Sequence, residues 1–231
     1  MPRRSPRSRI LADVPERRIR AYIGLGANVG DPETTLVEAV HALAALPGAR
    51  LRGVSRLYAT APVGVADQPE FRNAVIALDV PSGPDAQSGA LAVLVALKAL
   101  ERAFGRRKRR RWGPRELDLD LLVFGRARFA VERPRAGRSL DAATDRAKAT
   151  KLLEVPHPDA PERLFVLAPL ADLVPGLTPP GWRATVETTR RRREHAEGPA
   201  AVRAVGTWDP SLKRWGPIEQ SPTVSASAQP R

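Results

Sequence analysis

The sequence predicts a mixed α/β fold in a single domain. Short apolar segments typical of strands are interleaved with two segments in which apolar residues recur at helical spacing. The chain has 231 residues, a length at which one domain buries a substantial core. Its longest apolar run, Ala90–Leu97, is far too short to span a bilayer. We therefore expect no membrane segment.

The first strand and the first helix are marked by their end residues. Ala21–Gly26 is apolar and ends in glycines, which predicts a short strand. Asp31 is a suitable N-cap and Pro32 suits the first turn of the helix that follows, whose apolar positions are Leu36, Val40 and Leu43. The connecting GLGANVG resembles a dinucleotide-binding fingerprint, but Val29 stands where that fingerprint requires glycine. We interpret this motif as a turn.

Two strands and the longest helix follow. Residues 49–60 alternate in polarity and predict one strand, and Phe71–Val80 predicts another after a loop rich in Gly and Pro. Residues 84–104 have the strongest helical periodicity, and Gly105 suits the position after a helix C-terminus.

Three segments lack this periodicity. Residues 1–19 are Arg-rich without the apolar stretch of a signal peptide, so we expect a disordered basic extension and a cytoplasmic protein. Residues 126–151 predict an inserted mobile loop, and residues 181–231 a mostly disordered tail. The predicted functional domain therefore spans residues 20–180.

Charge and cysteine content restrict the function. The net charge is +13, and residues 102–111 alone hold seven basic and no acidic side chains. General binding to nucleic acid is the simplest interpretation of such charge, whereas a polyphosphate substrate is a more specific one for this basic loop. The absence of cysteine excludes disulfides and thiolate chemistry.

Two aspartates interrupt an apolar strand directly after the basic loop. In RELDLDLLVFG, Asp118 and Asp120 are two residues apart, so both side chains lie on one face of the strand, while Leu117, Leu119 and Leu121 lie on the other. One interpretation is the exposed polar face of an edge strand. The other is a Mg²⁺ site, because Mg²⁺ binds through one or two carboxylates together with substrate phosphates.

Other candidate residues stand near these elements. Arg115 follows Pro114 and is three residues from Asp118, and His157 lies between two prolines with Arg163 nearby. Either arginine and the histidine could donate to phosphate. Three of the chain's eleven aromatic residues, Phe71, Trp112 and Phe165, lie beside breaker-rich loops, although a single aromatic residue is more often part of a core.

Taken together, five segments resemble the 6-hydroxymethyl-7,8-dihydropterin pyrophosphokinase family of folate biosynthesis. They occur in the family's order between residues 20 and 177: YIGLGANVGD, SRLYATAPVG, QPEFRNAV, LERAFGRRKRRRWGPRELDLDLLVFG and VPHPDAPERLFVLAPLADLVP. The combination of RWGPRELDLDLLVFG with VPHP and ERLFVL is highly specific.

The resemblance implies a ferredoxin-like α/β (α+β) fold, with a mostly antiparallel sheet packed against helices. It implies transfer of pyrophosphate from ATP, as co-substrate, to the hydroxymethyl group of 6-hydroxymethyl-7,8-dihydropterin, with release of AMP. Two Mg²⁺ ions are the implied cofactor. We expect a monomer with these two small-molecule partners, no membrane and no specific nucleic acid.

The resemblance also implies roles for single residues. Asp118 and Asp120 would hold the two Mg²⁺ ions, and Arg106 and Arg115 would act on the transferring phosphates. The remaining implied contacts are those to the pterin, by Thr60, Val63, Phe71, Asn73, Trp112 and Phe165, and those to ATP, by Arg111, His157 and Arg163.

Two alternatives remain open at the level of sequence. A basic nucleic-acid-binding protein would need aromatic residues interleaved with its basic patch, and residues 106–111 have only Trp112 at their end. An inactive family member serving as a scaffold is the other. The presence of Asp118, Asp120, Asn73 and His157 argues against it.

Overall fold

The computed structural model describes residues 17–61, 68–105, 114–134 and 150–218. These residues form nine strands, four α-helices and one 3₁₀ turn at Ala160–Glu162. The strands are β1 (Arg18–Ala27), β2 (Arg50–Val54), β3 (Leu57–Thr60), β4 (Phe71–Pro81), β5 (Asp118–Phe124), β6 (Phe129–Glu132), β7 (Lys151–Val155), β8 (Val202–Asp209) and β9 (Arg214–Gly216). The helices are α1 (Pro32–Ala44), α2 (Ala86–Ala103), α3 (Leu164–Leu173) and α4 (Val186–Glu197).

Seven strands form one sheet in the order β5–β1–β4–β3–β8–β9, and β2 pairs with β4 beside β3. Strands β6 and β7 form a separate two-stranded sheet. Each of the described strand pairs is antiparallel. The predicted α/β class with a mostly antiparallel sheet is therefore confirmed.

The sheet separates two hydrophobic clusters. On one face, Ile76 and Leu78 of β4 pack in the cluster that also holds the buried residues of α1 and α2. On the other face, Val75 and Ala77 pack with Leu170 of α3 and Val186 of α4. The alternation of β4 thus directs its side chains into two different layers.

The helix starts agree with the sequence signals. Asp31 caps α1, because its carboxylate accepts a hydrogen bond from the N–H of Thr34 at 3.1 Å, and Pro32 occupies the first turn. Asp85 caps α2 in the same way through the N–H of Ser88 at 2.8 Å. These bonds satisfy N–H groups that have no partner within a helix.

Residues 49–60 form two strands rather than the single predicted one. The break lies at Ser55, whose N–H donates to the carbonyl of Val75 at 2.9 Å and whose Oγ accepts from the N–H of Val75 at 2.9 Å. This local exchange replaces one step of regular pairing with β4. Gly24 and Gly26 lie inside β1, as the predicted strand Ala21–Gly26 requires, so only the later part of GLGANVG, with Gly30 at φ +65°, forms the predicted turn.

The prediction that residues 181–231 are mostly disordered is wrong for the part described, because residues 183–218 contain α4, β8 and β9. Thr185 caps α4, and Glu187 in its first turn pairs with Arg190 and Arg191 at 2.8 and 2.6 Å. Such pairs three and four residues apart stabilise a helix of low apolar content. Three of the four consecutive arginines of this helix are therefore paired with glutamates of the chain.

Strand β8 then extends the sheet beside β3, with Val202 opposite Thr60. Trp215 of β9 donates its indole N–H to the carbonyl of Ser55 at 2.8 Å and stacks edge-to-face on Trp208.

The predicted loop 126–151 is also ordered at its ends, because Phe129–Glu132 pairs with Lys151–Val155. Strand β1 begins at Arg18, within the predicted extension 1–19, while residues 1–16 lie outside the described residues. Within the described ranges, no helix has the length and apolar character needed to cross a membrane.

Candidate functional site

One row of residues crosses four strands of the sheet. Asp118 of β5 lies opposite Gly26 of β1, Gly26 lies opposite Asn73 of β4, and Asn73 lies opposite Tyr58 of β3. Directly paired residues of antiparallel strands place their side chains on the same face. The carboxylate and the amide therefore face the same layer, on the side of the sheet that α3 covers.

The two aspartates lie on the open face of β5. Leu117 and Leu119 are fully buried and Leu121 is 3% exposed, whereas Asp118 and Asp120 are only half-buried. The predicted alternation of buried leucines and accessible aspartates is confirmed. It orients both carboxylates towards a cavity while the strand stays anchored in the core.

Glycines on β1 leave room beside these carboxylates. Gly24 lies opposite Asp120 and Gly26 opposite Asp118. A Cβ at Gly26 would lie 3.2 Å from Oδ1 of Asn73, closer than most Cβ contacts, and one at Gly24 would lie 3.4 Å from a methyl of Leu122. The absence of side chains at these positions keeps the cavity floor between β5 and β4 open.

Asn73 is held by a neighbouring strand. Its Nδ2 donates to Oγ1 of Thr60 at 2.8 Å, and both residues are 6% exposed. A buried amide with one end engaged presents its other end in a fixed direction. In Asn73 this places Oδ1 towards Gly26 and the cavity.

Aromatic and cationic side chains complete the cavity wall. Phe71 begins β4 and Phe165 lies in the first turn of α3, and both are half-buried. The guanidinium carbon of Arg163 lies 5.8 Å from the centre of the Phe165 ring, and its Nη2 donates to Asp159 at 2.7 Å. Arg115 pairs with Asp118, Nη1 to Oδ1, at 3.2 Å.

The backbone between the aspartates is fixed by α2. The N–H of Leu119 donates to Oε1 of Glu101 at 2.8 Å, and Nζ of Lys98 donates to the carbonyl of Leu119 at 3.2 Å. Lys98 and Glu101 also pair with each other at 2.7 Å. Since β5 is an outer strand of the described sheet, these side chains satisfy backbone groups that a further strand would otherwise bind.

A cavity of about 190 Å³ joins these groups. Eight residues predicted from the sequence line it: Thr60, Phe71, Asn73, Arg115, Asp118, Asp120, Arg163 and Phe165. Its wall also contains Gly24, Gly26, Val75 and Leu122, which the sequence analysis did not assign to a site. Residues brought together from four strands and one helix thus surround a single space.

The other predicted residues fall into two groups. His157 does not line the cavity, but its N–H donates at 2.8 Å to the carbonyl of Leu122, whose side chain does. The imidazole Nδ1 accepts from the N–H of Asp159 at 3.2 Å, which places the proton of the neutral ring on Nε2. Val63, Arg106, Arg111 and Trp112 lie outside the described residues.

The donor set suits one kind of metal. Across the four described ranges, no group of three or more His, Asp or Glu side chains converges on a common point. These residues therefore offer no ligand set for a structural zinc site, in which protein side chains supply every ligand. Two accessible carboxylates at a cavity do fit Mg²⁺, which keeps several waters and takes its other ligands from substrate phosphates.

A second ion-pair cluster lies behind the site. Tyr58 donates its hydroxyl to Asp172 of α3 at 3.0 Å, and Arg56 pairs with the same carboxylate at 2.6 Å. Burial, followed by the negative charge of Asp172, raises the pKa of Tyr58. The phenol therefore stays protonated and connects α3, which carries Phe165, to the sheet.

The sequence does contain signals for some site residues that the sequence analysis did not assign, namely Gly24, Gly26 and Glu101. The alternating glycines of GLG match the alternating aspartates of DLD, so both pairs line one face of adjacent strands. Glu101 falls on the same helical stripe as the buried residues Val93 and Leu97. A carboxylate on such a stripe needs a partner within the core.

Comparison with known proteins shows the family. The family model described as 7,8-dihydro-6-hydroxymethylpterin-pyrophosphokinase (HPPK) matches residues 22–175. A 2-amino-4-hydroxy-6-hydroxymethyldihydropteridine pyrophosphokinase of Pseudomonas aeruginosa is 42% identical over 164 residues, which cover 71% of this chain and 86% of that protein. The protein of the same name from Bacillus subtilis is 37% identical over 153 residues, covering 66% and 77%.

The fold has solved counterparts. The crystal structure of wild-type Plasmodium falciparum HPPK-DHPS aligns with a TM-score of 0.62 at 12% identity, covering 89% of this chain. This chain spans about half, 51%, of that chain, and at this identity the likeness shows the fold alone. The family match, the identities to the bacterial enzymes and the cavity all agree, and the chain belongs to the 7,8-dihydro-6-hydroxymethylpterin-pyrophosphokinase family of ATP-dependent enzymes.

Proposed function

We propose that the cavity between β1, β4, β5 and α3 is where this family member transfers pyrophosphate from ATP to the hydroxymethyl group of 6-hydroxymethyl-7,8-dihydropterin. This is the reaction expected from the sequence and the reaction of its family in folate biosynthesis. The observation that carries the proposal is the convergence of eight sequence-predicted residues on one cavity.

The pterin occupies the aromatic end of the cavity in this proposal. Phe71 and Phe165 both line the cavity, and two aromatic faces are suited to enclose a flat bicyclic ring. Asn73 lies two residues after Phe71 on β4 and lines the same cavity, with its amide direction set by Thr60. An amide that exposes a carbonyl oxygen can read the amino and ring N–H groups of a pterin edge.

The phosphates of ATP lie at the cationic end. Arg115 and Arg163 line the same cavity, and a guanidinium donates two parallel hydrogen bonds to phosphate. In this proposal His157 donates from Nε2 to phosphate as well; its Nδ1 accepts from the N–H of Asp159, whose carboxylate accepts from Arg163. The sequence adds Arg106 and Arg111 to this set, and Val63 and Trp112 to the pterin contacts.

Asp118 and Asp120 are the residues that would hold two Mg²⁺ ions at the junction of the two ends. Such ions neutralise phosphate charge and orient the reacting oxygens. The 3.2 Å contact between Arg115 and Asp118 supports a role for this guanidinium at the same phosphates. The carboxylates thus tie the phosphate position to a buried strand.

The chemistry is a displacement at phosphorus. The hydroxymethyl oxygen attacks the β-phosphorus of ATP, the bond from that phosphorus to the oxygen it shares with the α-phosphate breaks, and AMP leaves while the hydroxyl proton passes to solvent. Such transfers depend on positioning and charge stabilisation more than on a strong base. The described part of the cavity wall accordingly presents arginines and carboxylates, and it has no histidine.

The direct test measures AMP and pterin diphosphate by chromatography. Protein is incubated with ATP and Mg²⁺, with and without 6-hydroxymethyl-7,8-dihydropterin. We expect AMP and the pterin diphosphate in equal amounts, and only when the pterin is present. Release of ADP, or AMP release that does not depend on the pterin, would contradict the proposed function.

Monomeric state and cytoplasmic location remain predictions. Nucleic-acid binding, the alternative function, is weakened because three of the four arginines of α4 pair with glutamates: Arg190 with Glu187 and Glu194, Arg191 with Glu187, and Arg193 with Glu197.

A further inference from the structure

Asn28 joins two segments that are far apart in sequence. Its Oδ1 accepts from the N–H of Arg115 at 2.7 Å, and its own N–H donates to the carbonyl of Arg115 at 3.0 Å. Its Nδ2 donates to the carbonyl of Pro69 at 3.1 Å and to Oε1 of Gln68 at 3.3 Å. Both ends of the amide are therefore engaged, each with a different segment.

Each of these segments leads to the cavity. Pro69 is two residues before Phe71 and four before Asn73, the proposed pterin contacts. Arg115 itself lines the cavity and pairs with Asp118. Asn28 lies directly after β1, the strand that runs between β4 and β5. It is thus positioned to set the spacing between the two ends of the site.

Because Asn28 is buried, each polar group of its amide needs a hydrogen-bond partner within the protein. Asn28 is 2% exposed, so a lost partner would leave a polar group without water to replace it. Asparagine also combines a donor and an acceptor in one planar group. Aspartate would keep the acceptor for Arg115 but place an oxygen against the carbonyl of Pro69. Alanine would lose all three side-chain hydrogen bonds, the one to Arg115 and those to Pro69 and Gln68.

We propose that Asn28 is a positioning residue that fixes the start of β4, which contacts the pterin, relative to Arg115, which acts on the phosphates. The inference rests on the proposed function of the cavity. It assigns a role to the part of the GLGANVG motif that turn formation alone does not explain, since Gly30, with φ +65°, already supplies the turn.

Two substitutions of Asn28 separate the effect of its contact to Arg115 from the effect of its contact to Pro69. In Asn28→Asp, the KM for the pterin should rise about fivefold or more while kcat stays within about twofold, because Arg115 keeps its acceptor. In Asn28→Ala, the KM for the pterin should rise similarly and kcat should fall about tenfold or more, because small displacements of reacting groups are costly in rate. Equilibrium binding of the pterin, measured by calorimetry with α,β-methylene ATP present, should weaken in both variants.

Thr185→Ala is the matched control. It removes the cap of α4, where Oγ1 of Thr185 accepts from the N–H of Thr188 at 3.2 Å, and lies outside the proposed site. We expect it to lower Tm with KM and kcat close to those of the wild type. A variant that is less stable but correctly positioned should behave in this way.

Three results would overturn the inference. If Asn28→Ala lowers Tm like the control and leaves both kinetic constants unchanged, Asn28 is a structural residue only. If Asn28→Asp and Asn28→Ala change kcat and KM alike, the contacts to Arg115 and to Pro69 have no separate roles. Wild-type protein that releases no AMP with the pterin would refute the proposed function, and the inference with it; wild-type turnover keeps the two questions separate.

Discussion

Oε1 of Glu101 accepts a hydrogen bond at 2.8 Å from the backbone N–H of Leu119, the residue between Asp118 and Asp120. Glu101 is 3% exposed and pairs with Lys98, which donates to the carbonyl of the same leucine. A helix thus holds the one residue that separates the two carboxylates. This contact sets the direction of both aspartates from outside the cavity.

Glu101→Ala should therefore weaken Mg²⁺ binding at the proposed site, although Glu101 acts from outside the cavity. Removing the carboxylate takes the partner from a buried N–H, a loss of about 1–3 kcal/mol, and lets β5 move. We expect the Mg²⁺ concentration needed for half-maximal activity to rise. Glu101→Gln, which keeps an acceptor oxygen, should restore much of the Mg²⁺ response. An unchanged Mg²⁺ titration in Glu101→Ala would show that the strand holds its geometry alone.

Phe165→Ala tests the pterin end of the cavity. Loss of one stacked, buried ring should cost about 1–3 kcal/mol of pterin binding, which is about tenfold or more in Kd. Calorimetry with each substrate should show weak pterin binding and nearly normal binding of α,β-methylene ATP. If both affinities fell equally, Phe165 would be an ordinary core residue that supports α3.

Truncation tests the C-terminal extension of the sheet. A chain that ends at Gly198 loses β8, its pairing with β3 and the Trp215–Ser55 contact. It should have a lower Tm and weaker pterin binding, because Thr60, which holds Asn73, would then lie on an edge strand. A chain that ends at Ile218 is the control and should match the full chain. Equal Tm and pterin affinity in both chains would show that β3 needs no neighbour.

The α4 glutamate gives a pH-dependent prediction. Hydrogen bonding from Arg190, aided by Arg191, lowers the pKa of Glu187 from 4.5 to about 2. A carboxylate with a lowered pKa in the folded state contributes stability above its unfolded pKa and loses it as the pH falls towards the folded value.

The free energy of unfolding of Glu187→Gln should therefore lie below that of the wild type at neutral pH, and the difference should shrink between about pH 4.5 and pH 2. Urea unfolding at several pH values measures it. Glu38→Gln, on the exposed face of α1, removes the same charge as a control. A difference that does not vary with pH would mean that the Arg190 pair contributes nothing.

Local signals predicted much of the fold. Asp31 with Pro32 marks the start of α1, and the alternation around Asp118 and Asp120 gives the orientation of β5, because these features depend on neighbouring residues. The resemblance to the family supplied the residues of the cavity. The break at Ser55 was missed because it depends on an exchange of hydrogen bonds with Val75, which no local pattern reports.

The remaining errors have the same physical origin. The Arg-rich segment of α4 has little apolar periodicity, and its helix depends on a cap and on pairs such as Arg190–Glu187. Asn28 and Glu101 act on backbone groups distant in sequence, Arg115 and Leu119. Composition and periodicity describe neither kind of contact. Only the folded arrangement of strands brings these partners together.

The central claim is that Asp118 and Asp120 hold Mg²⁺ against the phosphates of ATP. Asp118→Asn and Asp120→Asn keep the size of the side chain and remove one charge, and the strand should stay folded because Leu119 and Leu121 anchor it. The decisive measurement is kcat for pterin-dependent AMP release across a Mg²⁺ titration. We expect each variant to lose at least about 10²-fold in kcat and to need more Mg²⁺. Near wild-type turnover of both variants at limiting Mg²⁺ would contradict the claim and leave the aspartates as the polar face of an edge strand.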